Sequence, residues 1–316
     1  MVIPTYNAGP GFAGLLESIS GQEVDLTQEV LVVDSGSADG TVDVARSQGA
    51  AVHQIPKSEF NHGATRNLGI SLSSGEYVAL VVQDARPLDE GWLGAMVENL
   101  EQDGRVAGVY GRQVPHPGSG ALTRALTGNL LAAASERREQ YAGGPEAYRR
   151  LSPEQQWRLA AFDNVSSCLR RSVWEEIPFD ETNFAEDLRW GKKVVEAGYK
   201  LVYEPRSAVF HSHERGAMYD LRRYYVNARV LSELFGLEPV RNVPRLFLSI
   251  ALSTLHLYGL LRKSKAFGGK ARPLMLAAAY AGPTQLGSYL GVKVPRLSRI
   301  SPGLSSRLDR FLGKGI

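Results

Sequence analysis

Along the first hundred residues, short apolar runs alternate with stretches of helical spacing. "MVIP" predicts a strand, "AGLLESIS" a helix, and "EVLVVD" a buried strand ending in Asp34. "SADGTVDVARSQG" predicts a turn and a helix capped by Ser37 or Asp39. A strand at "AVHQIP", a helix over "NHGATRNLGISLSSG" closed by Gly75, a strand at "YVALVVQD" and a helix over "EGWLGAMVENLEQ" complete the series. Apolar strands alternating with helices predict an α/β fold, a mostly parallel sheet flanked by helices on both faces. In such sheets ligands bind beyond the carboxyl ends of the strands. Thr5, Asp34 and Asp84 all fall at such ends.

The pattern then loosens. "VAGVYGRQVP" predicts a strand, and residues 119 to 160 a polar, mainly helical stretch broken by Gly143-Gly144-Pro145. "NVSSCLRRSVWEEIPF" predicts a strand and a short helix. "FAEDLRWGKKVVEAGYKLVYEPRSAVFHSH" predicts a helix, a turn at Gly198, a strand and a loop bearing two histidines. Beyond about residue 217 the spacing is helical. This divides the chain into an α/β domain over 1–216 and a helical C-terminal appendage over 217–316.

Charge sharpens that division. The net charge of +3 hides 13 Lys and Arg against one acid, Asp309, from Arg241 onward, and 23 basic against 32 acidic groups before it. Within the basic region, 246–261 is a 16-residue apolar run, below the roughly 20 residues a bilayer span needs. A second apolar stretch at 273–291 contains Pro283, and the acid-free turn "RKSKAFGGKAR" separates the two. Two core or dimer helices would read this way. An interfacial hairpin with its basic turn at anionic headgroups fits the charge better. No nucleic-acid recognition motif accompanies the basic residues, so no nucleic-acid partner is expected. A single cysteine, Cys168, excludes an internal disulfide framework. No basic segment followed by a long apolar run opens the chain, so no secretory signal is expected there.

Several residues carry chemistry. Asp34 at a strand end could accept from a pyrimidine N–H or simply close a turn. The planar fork of Arg66 suits phosphate or base oxygens, and also an ion pair. Glu186 and Asp187 open a helix, where carboxylates complement the dipole, and either could act as a base. His211 and His213, two apart on a strand end, point the same way.

Together "VIPTYNAG", "VVDSGSADGT", "NHGATRNLG", "VVQDARP" and "FAEDLRW" resemble, in order and spacing, the inverting family 2 glycosyltransferases of the GT-A (Rossmann-like) fold, over roughly residues 1 to 215. "EFNHGATRN", "QDA" and "HSH" are similar more narrowly to bacterial rhamnosyltransferases that use dTDP-L-rhamnose. The resemblance implies a nucleotide-sugar site at Thr5, Tyr6, Asp34, Arg66, Gln83 and Asp84. It implies Asp187 as the base, with Glu186 orienting it or the acceptor. It also implies a Mn²⁺ or Mg²⁺ ion at Asp84, with His211 first and His213 second as the further ligand. The second acid of the family's usual metal motif is absent, since Gln83 and Ala85 flank Asp84. Asp84 and His211 must therefore converge on one cleft.

The implied function is transfer of L-rhamnose to a hydroxyl of a cell-surface polysaccharide or lipid-linked glycan precursor, on the cytoplasmic membrane face. The alternatives are a donor such as UDP-glucose, UDP-galactose or UDP-GlcNAc, or a non-catalytic scaffold. Oligomeric state is left open.

Overall fold

The computed structural model describes residues 1–264 and 266–316. Lys265, one of the basic residues of the turn expected near headgroups, lies outside the described residues. By their contacts the residues form two units, 1–116 with 127–212 and 117–126 with 213–316.

The first unit begins β1 (Val2–Thr5), α1 (Phe12–Ser20), β2 (Leu31–Asp34), α2 (Thr41–Ser47), β3 (Ala51–Gln54), α3 (His62–Leu72), β4 (Tyr77–Val81), β5 (Arg86–Pro87), α4 (Trp92–Gln102) and β6 (Val106–Val114). After α5 (Ala121–Thr127) come β7 (Arg138–Gln140), α6 (Pro145–Arg149), α7 (Pro153–Ala160), β8 (Ser166–Arg170), α8 (Arg171–Glu176), α9 (Glu186–Glu196) and β9 (Lys200–Phe210). One sheet runs in the order β3-β2-β1-β4-β8-β6-β9-β5, with β7 against β9. Parallel pairing joins β3, β2, β1 and β4, and again β6 and β9, while β8 runs antiparallel between β4 and β6.

That reversal matters for function. The start of β8 shares an edge with the ends of β4 and β6, as Val81 pairs with Ser166. Two apolar layers cover the sheet. One includes Ile3, Leu15, Ile19, Trp92, Met96 and Val202, and the other includes Val33, Ile70, Leu80, Tyr203 and Trp190. Trp190 is fully buried and donates its indole N–H to the Ile177 carbonyl at 2.8 Å.

Some local expectations need correction. α3 stops at Leu72, before Gly75, since Ser73 has already turned extended (φ −97°, ψ 162°). Its start is set by Asn61, whose side chain accepts from Gly63 and Ala64 N–H at 3.1 and 3.0 Å. A Cβ on Gly63 would sit 1.7 Å from the Asp180 carbonyl, so only glycine allows that approach. Within 119–160, β7 is a strand the polar composition concealed. Its Gln140 is buried, with its amide donating to the Leu159 and Ala161 carbonyls at 2.9 and 2.6 Å.

The second unit holds α10 (Ala217–Phe235), α11 (Val243–Lys263), α12 (Ala271–Leu297) and α13 (Pro302–Leu312). It also takes in residues 117–126, because Ala121, Leu122, Ala125 and Leu126 pack on Leu257, Leu261 and Ala277. α10 and α12 touch closely, since a Cβ on Gly287 would lie 2.2 Å from the Leu221 carbonyl. α11 is 21 residues long, beyond the 16-residue apolar run, because Asn242 caps it (Arg245 N–H, 3.0 Å) and it continues through Arg262 and Lys263. By length and composition it could cross a membrane, and most of it is exposed. Phe247, Leu252 and Leu255 are 68, 57 and 62% exposed.

Candidate active site

The carboxyl ends of β1, β2, β4, β6 and β9, with the start of β8, form one polar rim. Thr5 and Asp34 are register partners, and the Thr5 hydroxyl donates to Asp34 Oδ2 at 2.9 Å. Asp34 Oδ1 accepts from the backbone N–H of Gly36 and Ser37 at 3.1 and 2.9 Å, and Oδ2 from the Ser37 hydroxyl at 2.5 Å.

Fully buried, Asp34 thus has four donors already in place. Of the two readings open from sequence, these bonds show the carboxylate closing the loop after β2. Ser37 is spent on Asp34, so it does not cap α2. Gly40 (φ 86°) takes the N-cap, and Asp39 Oδ1 accepts from the Thr41 N–H at 3.2 Å.

Tyr6 stands beyond Thr5, 39% exposed. Its hydroxyl accepts from Lys57 Nζ at 2.7 Å, and that ammonium lies 4.0 Å from the ring centroid. The Gln83 amide clamps the Tyr6 backbone, with Oε1 accepting from its N–H at 2.7 Å and Nε2 donating to its carbonyl at 3.2 Å. This ties the β1 and β4 ends together just ahead of Asp84.

Arg66 takes up the ion pair that its fork also suits. It is buried, and Nη1 pairs with Glu186 Oε1 at 2.9 Å and donates to the His62 carbonyl at 3.1 Å. The guanidinium therefore engages an interior carboxylate rather than standing at the rim. Glu186 also accepts from Asn164 Nδ2 at 3.2 Å. Burial pushes its pKa upward, but Arg66, His62 and Asn164 outweigh this and hold it below the usual value, as a carboxylate. Burial lowers the pKa of His62.

Asp187, the next residue, behaves oppositely. Burial first, then the neighbouring Glu186 and Asp163 charges, pushes its carboxyl up to about 8. Its oxygens accept from the backbone N–H of Leu188 at 2.7 Å and, at a long 3.4 Å, Asn164. Two adjacent acids are thus split into an ionised partner for Arg66 and a strong proton acceptor. The turn presenting them is strained, because Ala185 adopts φ 59°, ψ 34°, a left-handed conformation uncommon for a residue with a Cβ.

At the other end of the rim, His211 Nε2 lies 3.8 Å from Asp84 Oδ1. His213 follows two residues on, and the three side chains each offer a ligand atom within 4.8 Å of the others. Backbone pairing sets this geometry: the His211 N–H donates to the Val114 carbonyl at 2.9 Å, extending the parallel ladder by one bond. His211 Nδ1 faces Gln113 Oε1 at 2.8 Å, and Gln113 Nε2 donates to Asp163 Oδ2 at 2.5 Å.

The model of the glycosyl transferase family 2 domain matches residues 1–158, half of the chain. The chain belongs to glycosyl transferase family 2. This family 2 member is 31% identical over 230 residues to the O-antigen chain rhamnosyltransferase RfbN of Salmonella typhimurium, covering 71% of this chain and 69% of that protein. It is 29% identical to the O-antigen chain rhamnosyltransferase WbaN of Salmonella anatum, with the same coverage. In fold, the family 2 chain is similar to a mannosyltransferase from Pyrobaculum calidifontis solved with GDP-Man and Mn²⁺ (TM-score 0.51, 19% identity, 97% of this chain and 76% of that one). It is likewise similar to glucosyl-3-phosphoglycerate synthase from Mycobacterium tuberculosis solved with Mg²⁺ and UDP (TM-score 0.53, 17% identity, 75% and 78%). The fold is GT-A, and this family 2 protein is a glycosyltransferase.

Lys57, Gln113, Asp163 and Asn164 join the rim without having been singled out from sequence. Gln113 sits in an apolar strand, where an interior glutamine is itself a signal, since burying an amide costs energy unless both ends are paired. Asp163 precedes a strand instead of ending one, and only the antiparallel direction of β8 brings it to this edge.

Proposed function

We propose that the protein is an inverting rhamnosyltransferase. It moves L-rhamnose from dTDP-L-rhamnose to a hydroxyl of a cell-surface polysaccharide or its lipid-linked precursor. The observation that carries the donor and acceptor classes is the 31% identity to RfbN across 69% of that protein.

In this reading Asp187 takes the acceptor hydroxyl proton as the oxygen attacks sugar C1. The C1–O bond to the diphosphate breaks on the opposite face, and its electron pair leaves with the nucleotide. Glu186, held by Arg66, keeps a fixed negative charge beside Asp187 and so sustains its basicity. Tyr6 and Lys57 offer the base a ring surface and a cation. Asp34 supports that pocket from behind, through Thr5 and the Ser37 loop. Asp84, His211 and His213 would hold the divalent ion. One carboxylate oxygen and two imidazole nitrogens suit Mn²⁺ better than Mg²⁺. Bound there, the ion supplies charge stabilisation for the departing diphosphate.

The exposed apolar side chains of α11, with Arg245, Arg262 and Lys263 near its ends, support peripheral attachment to an anionic membrane surface on the cytoplasmic side.

The test is donor hydrolysis without acceptor, over dTDP-L-rhamnose, UDP-glucose, UDP-galactose and UDP-GlcNAc, each with Mn²⁺ and Mg²⁺. Release of dTDP above all other products is expected. Preference for a UDP-sugar would replace the donor, and no hydrolysis or transfer with any donor would favour a scaffold.

A further inference from the structure

Gln113 lies on β6, one residue from its end, and is 6% exposed. A buried amide must satisfy both its donor and its acceptor. Here one end meets Asp163 and the other meets His211. Asp163 Oδ1 accepts from the Val165 N–H at 2.9 Å, and its Oδ2 receives Gln113. A carboxylate only accepts, so the nitrogen of the Gln113 amide must face Asp163 and its oxygen must face His211. An amide oxygen also only accepts, so His211 Nδ1 must carry the ring proton. In the neutral ring the lone pair is then on Nε2, the atom 3.8 Å from Asp84 Oδ1.

We propose that Asp163 and Gln113 form a positioning relay that fixes the tautomer and orientation of His211, presenting Nε2 toward the divalent ion. The relay rests on the reading of Asp84 and His211 as metal ligands, and deepens it. The chemistry favours such a device. An imidazole in water prefers its proton on Nε2, the wrong nitrogen for this geometry, and outer partners that fix the ring commonly change metal affinity by roughly ten- to hundredfold. Strand register makes the arrangement stiff, because Gln113 pairs with Val209 and Val114 with Phe210, immediately before His211. Asp163 also acts on Asp187, whose proton affinity it helps to raise. One carboxylate therefore faces both the ion-binding and the proton-accepting halves of the site.

The experiment uses the full chain with Gln113→Met, which keeps the volume and removes both bonds, and Asp163→Asn, which removes only the demand that the amide nitrogen point one way. Nitrogen NMR of the metal-free protein reads the His211 tautomer, and Mn²⁺ titration by electron paramagnetic resonance reads affinity. The wild type should show Nδ1–H. Both variants should gain Nε2–H, and Gln113→Met should bind Mn²⁺ about ten- to hundredfold more weakly. Should Gln113→Met fail to fold, Asp163→Asn carries the test alone. A wild-type Nε2–H tautomer, or an unchanged tautomer in the folded variants, overturns the relay. A wild type that binds no Mn²⁺ while showing the Nδ1–H signature overturns the metal reading instead, so the two failures are distinct.

Discussion

The Asp84 carboxylate and the His211 imidazole stand 3.8 Å apart, brought together because β5, two residues after Asp84, pairs antiparallel with the end of β9 through Arg86 and Phe210. This closeness answers the lack of a second acid beside Asp84. If the pair holds the ion, His211→Ala should abolish Mn²⁺ stimulation of donor hydrolysis and lower the rate by about two orders of magnitude, in line with the several kcal/mol such a charge clamp supplies. Initial rates across a Mn²⁺ series check this. A variant with the wild-type metal response removes His211 from the site.

Asp187 leads to a pH prediction. With its carboxyl raised to about 8 by burial and by Glu186 and Asp163, the proposed base is mostly protonated at neutral pH. The rate should therefore climb as pH passes through about 8, and Asp163→Asn should move that rise to lower pH. Asp187→Asn should cut transfer by about 10²-fold or more, as expected for loss of general-base help, yet leave nucleotide affinity intact. Transfer rates over pH 6 to 10 and nucleotide titration decide both points.

The same carboxyl bears on stability. A group whose folded pKa is raised contributes stability that is intact below its unfolded pKa and is lost as pH rises through the folded one. Asp187→Asn should therefore melt higher than wild type at pH 8, with the difference vanishing near pH 3. Equal melting temperatures at both pH values would show that the carboxyl is not perturbed.

Arg66 and Glu186 form an ion pair with side chains 5 and 7% exposed. Removing one partner strands the other charge, so Arg66→Ala should cost about 3–5 kcal/mol in chemical denaturation. A loss under 1 kcal/mol would mean that water or another group already serves Glu186.

Leu252 and Leu255 project from α11 with more than half their surface open, at 57 and 62%. The double variant Leu252→Glu, Leu255→Glu should stop flotation with anionic vesicles, while donor hydrolysis stays unchanged. Equal flotation of variant and wild type would exclude this face.

Much of the rim was legible from sequence because apolar runs end where its polar residues begin, as at Thr5, Asp34, Asp84 and His211. Direction and depth were not legible. Nothing in "GRQVP" or "FDNVSS" says that β8 runs backward and carries Asp163 to meet Gln113. Nor could spacing show that Asp34 and Arg66 turn inward, because whether a charge faces solvent or a partner depends on the neighbouring strand and helix. The reach of α11 past its apolar run followed from a cap at Asn242 that hydropathy does not register.

The left-handed turn at Ala185 has one more consequence. The acid pair is mounted on a bent, tightly held hinge-pin rather than on a swinging arm. In the proposed mechanism a base mounted this way would not search for its substrate. The acceptor would have to bring its hydroxyl to a point already chosen, so linkage selectivity would be a matter of docking pose rather than of loop adaptation.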